Sequence, residues 1–231
     1  MTSKQELHLA YVLHSRAFRE TSLLLEVISS EHGRVSIVAR GVKRGKAKTS
    51  SLLQPFVPLH LSWYGNGELV TLTEVEVYAP AHNLQARNAI CGLYLNELLV
   101  KLLPKWDPCA KLFNSYSAAL LELGQDNCIE QIVLRNFEMQ LLESLGYALQ
   151  LDKEIETGAA IQPDSYYLFD PVLGPKLAYI QNATAIKGTS ILALAARQFD
   201  DPGSLLEIKR LMRMVFNHHL GNRQIKTREL L

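Results

Sequence analysis

The apolar residues of this chain repeat at every second position up to about residue 80 and at every 3.6 positions beyond it, so a small β structure must precede a helical one. Leu7, Leu9, Tyr11 and Leu13 share one strand face. So do Leu23, Leu25 and Val27, then Val35, Ile37 and Ala39, then Val57, Leu59, Leu61 and Trp63. A fifth run alternates Glu74, Val75, Glu76 and Val77. Gly65-Asn66-Gly67 joins it to the fourth as a hairpin, because glycine and asparagine accept positive φ. Five short antiparallel strands predict a small barrel, which closes its own edges and fills its interior from one face of each strand. The oligonucleotide-binding (OB) barrel and the SH3-like barrel both fit this pattern.

Beyond Pro80, residues 83–103 place Leu95, Leu98, Leu99 and Leu102 at helical spacing until Pro104 stops the run. Further helices are predicted over 109–123, 129–147, 189–199 and 203–221, the last ending at Gly221. The reading is therefore α+β: a barrel domain over 1–80 and a mainly α-helical domain over 81–231. An irregular segment near 150–181 carries a short hairpin at "YYLFD". A hydrophobic content of 48% supplies a core without staples. Cys91, Cys109 and Cys128 form no CxxC pair, which argues against a disulfide framework or a structural zinc site. No run is apolar enough for a signal peptide or a membrane span, so a cytoplasmic protein is expected.

Charge is gathered in one place. Arg40, Lys43, Arg44, Lys46 and Lys48 put five cations into nine residues of a chain whose formal net charge is +1, and no acid lies between Glu31 and Glu68. Gly41 to Lys46 is no phosphate-binding loop of the nucleotide type. It has one residue too few between its glycines, and Ala47 stands where a Ser or Thr must hold magnesium. His218-His219 lacks a third ligand at helical spacing and fits a helix C-terminus instead. No nucleophile elbow, HExxH or paired carboxylate stands out, so no active site, metal or cofactor is expected. A lone charge run is usually a solvated loop. Here the missing acids, the glycines that admit a ligand to the backbone, and Arg34 and Arg40 on one outward strand face point to a phosphate backbone. Phe18, Tyr64 and Trp63 could stack on bases, although Trp63 has the inward phase. Lys209, Arg210 and Arg213 on the last helix are a secondary set, with a solvated helix face the competing account.

The stretches "AYVLHSRAFRETSLLLEV", "LLQPF", "GLYLNELLVKLL", "LRNFEMQLLESLGY" and "KTREL", in that order, resemble the RecO family of bacterial recombination and repair mediators. The resemblance implies an OB barrel followed by a helical domain. It also implies binding of single- and double-stranded DNA, annealing of complementary strands, and cooperation with RecR in loading RecA onto strands coated by single-stranded DNA-binding protein (SSB). By the same resemblance Arg135 is the anchor for the acidic SSB tail. A guanidinium takes a terminal carboxylate bidentately, and Met139, one turn on, would line the pocket. Without the resemblance, an ion pair between Arg135 and Glu138 is the simpler reading.

Many relatives carry a four-cysteine zinc module after "LGY". The corresponding "ALQLDKEIETGAAIQPDSYY" has no cysteine, so zinc is not expected and the order of this segment needs another source. The expected function is a non-enzymatic recombination mediator, monomeric on its own and without a membrane partner. The alternatives are an RNA-binding OB module and an adaptor whose basic loop meets an acidic protein. About five cations on single-strand phosphates predict a slope of log affinity against log salt of roughly −3 to −4.

Overall fold

The computed structural model describes residues 6–42, 47–179, 184–199 and 201–231, with Ala47 and Lys48 placed by their backbone. Strands β1 (His8–Phe18), β2 (Ser22–Ser29), β3 (Gly33–Ala39), β4 (Pro58–Tyr64) and β5 (Val70–Val77) close a barrel in the order β1-β2-β3-β5-β4. Only β3 and β5 pair in parallel. A helix, α1 (Ala47–Leu52), lies between β3 and β4. This strand order with parallel β3–β5 closure is OB-like, which decides between the two barrels that alternation alone leaves open.

The barrel core is Ala10, Val12, Leu25, Val27, Val35, Ile37, Ala39, Val42, Leu53, Leu59, Leu61 and Val70, with Trp63 packed against it as its phase predicts. On β1 it is Ala10 and Val12 that face inward. Tyr11 and Leu13 are buried on the other face, where helices cover the strand. These are α2 (Ala86–Leu102) and α3 (Ala110–Leu123). Buried Asn96 of α2 donates to the Leu13 carbonyl at 3.0 Å and accepts from the Tyr116 hydroxyl at 2.6 Å, while Tyr11 shares a 2.9 Å bond with Ser117. A polar side chain this deep is tolerated because both ends of its amide are satisfied.

Met1–Glu130 and Ile225–Leu231 form one compact unit and Gln131–Gln224 another. In the first, the carboxylate of Glu97 on α2 accepts from Lys226 N at 2.9 Å, Thr227 N at 2.9 Å and the Thr227 hydroxyl at 2.8 Å, and so fastens the 3₁₀ turn Lys226–Glu229.

The second unit holds α4 (Glu130–Ser144) from its second residue, strands β6 (Tyr166–Asp170), β7 (Gly174–Leu177) and β8 (Ile186–Lys187) in the order β7-β6-β8, then α5 (Gly188–Ala196) and α6 (Pro202–Leu220). The hairpin expected at "YYLFD" is β6–β7. Asp201 caps α6 by accepting from Ser204 N at 2.6 Å, and Ile208, Leu211, Met212, Val215 and Phe216 form its buried stripe.

Carboxylates do the ordering in the segment that follows α4. Glu154 accepts from Thr157 N and the Thr157 hydroxyl, both at 2.7 Å, and from Glu156 N at 3.0 Å, and Asp170 receives Val172 N and Leu173 N at 2.8 Å each. No thiolate is present to hold a zinc ion here, and the turn is built from charge-assisted hydrogen bonds instead. The bonds from the Thr157 side chain and backbone, with those from Glu156 and Leu177, bring the Glu154 carboxyl from an ordinary 4.5 to about 2. A carboxyl depressed by folding stabilises the fold fully above its unfolded value and ceases to do so as pH falls through the folded one. Glu154→Gln is therefore expected to lower the denaturation midpoint at neutral pH. The gap from wild type should narrow once pH drops below 4.5 towards about 2, as chemical unfolding at a series of pH values would show. A gap independent of pH would assign the effect to packing.

Candidate nucleic-acid interface

Pairing fixes which loops meet. Leu23 of β2 lies opposite Ala39 of β3, and Ile37 and Val38 lie beside Val70 and Thr71 of β5. The β1–β2 turn, the exit of β3 and the entry to β5 consequently converge. Phe18, Arg19, Thr21, Val38, Arg40 and Leu69 line the open groove between them, with Glu20 the acid in it. Beyond Arg40 a second groove is lined by Thr49 of α1 and by residues 72–75 of β5, including Glu74. Arg40 is exposed and borders both. The β1–β2 and β4–β5 loops with the adjoining strand face are the surface that OB barrels offer to oligonucleotides.

Two cations beyond those the sequence singles out lie near this groove, Arg19 in its lining and Arg16 on β1 before the turn. Arg16 and Arg19 are exposed, and the Arg19 guanidinium lies 5.3 Å from the Phe18 ring centroid in a backbone turned to φ 55°. Their signal was present in "SRAFRETS", a turn between two alternating runs with arginines on either side of an aromatic. Tyr64, 55% exposed, pairs with Thr71 at the same edge, and offers a ring for stacking.

Arg34 does not join them. It shares the outward phase with Arg40, but that part of the outer face is covered. Its Nη1 donates to Glu26 at 2.7 Å and its Nε to the Leu103 carbonyl at 2.9 Å, while the Arg34 carbonyl accepts from Trp106 N at 3.0 Å. Glu26 also accepts from the Ser36 hydroxyl at 2.6 Å. The Arg34 guanidinium fastens the barrel to the chain after α2. Lys43, Arg44 and Lys46 lie outside the described residues, and Lys48 sits on α1.

In the second unit, Arg135 of α4 is buried and its Nη2 donates to Glu138 at 2.7 Å, so the helical ion pair exists. Its Nε and Nη1 are also buried and meet no acceptor among the described residues. Met139, expected beside it, is buried as well. On α6, Arg210 and Arg213 are exposed and Lys209 half-buried, with Arg210 3.9 Å from Glu207. His219 stacks on Tyr147 at 4.2 Å, and burial followed by the charge of His218 pushes its pKa down, which weakens the expected role of this ring as a helix-end cation. Among the described residues no helix is long and apolar enough to cross a membrane.

A family described as Recombination protein O N terminal matches residues 3–81, and one described as Recombination protein O C terminal matches residues 84–229. The DNA repair protein RecO of Methylococcus capsulatus is 46% identical over 221 residues, 96% of this chain and 90% of that protein. Its counterpart in Nitrosococcus oceani is 46% identical over 224 residues, 96% and 91% of the two chains. That of Coxiella burnetii is 39% identical over 235 residues, 100% of each. An OB-like barrel with a cation-rimmed groove, followed by helices and matched along nearly its whole length at this identity, places the chain in one lineage: it belongs to the RecO family.

Proposed function

We propose that this chain is a non-catalytic DNA-binding mediator of recombination in DNA repair. It would hold single- and double-stranded DNA on the barrel, anneal complementary strands, engage the SSB tail, and cooperate with RecR in loading RecA. The barrel over 1–80 is the DNA-binding domain and 81–231 the helical domain. The observation that carries the reading is the groove lined by exposed Arg19 and Arg40 and by Phe18, with exposed Arg16 on the adjoining strand β1 and exposed Tyr64 paired beside Thr71, close in sequence to Lys43, Arg44, Lys46 and Lys48. Two polyanionic strands held against one positive surface repel each other less, and this promotes pairing. Lys209, Arg210 and Arg213 supply a secondary contact. Backbone charge does not distinguish the sugars, so competition between matched DNA and RNA oligonucleotides separates this reading from an RNA-binding one.

The buried Nε and Nη1 of Arg135 support the tail site: a terminal carboxylate reaching them supplies the acceptors they lack. Two variants test it. Arg135→Ala leaves a buried glutamate without its arginine, a loss of about 3–5 kcal/mol in comparable pairs, whereas Arg135→Met with Glu138→Leu replaces the pair by apolar groups at little cost. Both are expected to lose binding of an isolated SSB-tail peptide, and the double variant should still bind naked DNA like wild type while failing to anneal SSB-coated strands. Undiminished peptide binding by the double variant would place the tail elsewhere.

A further inference from the structure

We infer that His8 and His32 form a binding site for a d-block divalent cation of the zinc and nickel class, with Glu31 orienting His8. The site follows from strand register. Ala10 lies opposite Ser29, and the pairing continues through Ser30 N to the Leu9 carbonyl at 3.0 Å, which sets His8 across from Glu31 and next to the β2–β3 turn that carries His32. The two imidazoles meet edge to face at 87°, with His8 Nε2 and His32 Nε2 3.4 Å apart. Two nitrogens bound to one tetrahedral zinc at 2.0–2.1 Å stand about 3.3–3.4 Å from each other.

The other nitrogen of His8 completes the pattern. Nδ1 lies 2.6 Å from Glu31 Oε2, so its N–H donates to the carboxylate and the Nε2 lone pair is left facing His32. A carboxylate behind a ligating histidine fixes tautomer and ring orientation in metal sites. One ligand atom from each of the three residues falls within 4.8 Å of the others, and Glu6 brings a further negative charge close enough to act on His32. His8 is buried, His32 half-buried and Glu31 exposed, which leaves an approach from solvent. Imidazole donors suit zinc, nickel and copper rather than magnesium or calcium. The site is separate from the proposed DNA groove, since His32 precedes β3 and Arg40 follows it, about 25 Å apart along the seven-residue strand. Its effect would be to clasp the start of β1 to the β2–β3 turn.

The chain has two tryptophans, and both lie beside the cluster: Trp63 is 4.8 Å from the His8 ring and 5.4 Å from that of His32, and Trp106 is 6.0 Å from His32. Nickel chloride titrated into the chelator-stripped full chain should quench their fluorescence saturably at one ion per chain. Chelator should reverse the quenching and zinc, but not magnesium, should compete. His32→Ala should abolish it, and Glu31→Gln should weaken affinity about 10–100-fold, the loss that removal of such an orienting carboxylate brings. Paired substitution of His218 and His219 by alanine should change nothing. Unsaturable quenching of the wild type, or saturable quenching that survives His32→Ala, would overturn the site, and unaltered affinity in Glu31→Gln would overturn the part given to Glu31.

Discussion

Alanine at Lys43, Arg44, Lys46 and Lys48 is expected to change the salt dependence of single-stranded DNA binding more than any other substitution in the chain. Seven cations are assigned to the surface when Arg16 and Arg19 join Arg40 and these four. At about 0.7 counterions released per single-strand phosphate neutralised, the wild-type slope of log affinity against log salt is roughly −5 and the quadruple variant's roughly −2. Between 50 and 200 mM salt that is an affinity loss of about 1000-fold for wild type and about 15-fold for the variant. Fluorescence anisotropy with a labelled oligonucleotide across that range measures both. Parallel lines for the two proteins would remove the loop from the grip and leave the groove alone to account for binding. Arg34→Ala should behave differently. It should leave the slope unchanged and destabilise the fold by about 2 kcal/mol, between the values for exposed and buried ion pairs, because the side chains of Arg34 and Glu26 are 15% and 18% exposed.

The largest stability effect is expected at Gly33, where β3 begins. Its φ is +67°, and an added Cβ would stand 2.1 Å from the backbone carbonyl oxygen of Asp107. The left-handed conformation costs a non-glycine residue about 1 kcal/mol, but the overlap with main chain cannot be relieved by rotating a side chain, so the total for Gly33→Ala should reach about 4 kcal/mol or more. Gly41 is the control. Its φ is +72° and a Cβ there would meet nothing within 4 Å, so Gly41→Ala should show the conformational part alone. Urea unfolding of the two variants separates the terms, and equal losses would mean that the segment carrying Asp107 yields freely.

The period of the sequence carried the barrel and the helices, because both depend on which residues alternate. Trp63 faces the core as its phase requires; α2, α3 and α4 lie within the helical runs read from spacing, and α5 and α6 begin one residue before theirs. Phase alone does not say which of two apolar faces looks inward. On β1 both faces are buried, and the larger side chains, Tyr11 and Leu13, went under the helices while Ala10 and Val12 filled the narrow barrel. The six residues of α1 are too few for a helical period to show.

Arg34 illustrates a different limit. Its outward direction was legible, but what covers that face comes from Leu103 and Trp106, some seventy residues away in sequence. Its partner Glu26 was closer to hand. Ile28 is opposite Arg34 and Ser36 opposite Glu26, so the β2–β3 register sets Arg34 and Glu26 on a diagonal. His8 and His32 are invisible to motif spacing for the same reason, since only the pairing of β1 with β2 brings them together.

The strap from residues 225–231 to Glu97 bears on how the protein is made. Gln131–Gln224 intervenes between the strap and the rest of its compact unit, so the barrel, α2 and α3 leave the ribosome well before the segment that completes them. Until Thr227 arrives, the side of α2 bearing Leu93 and Val100, which the strap borders, stays uncapped on a nascent chain, open to chaperones.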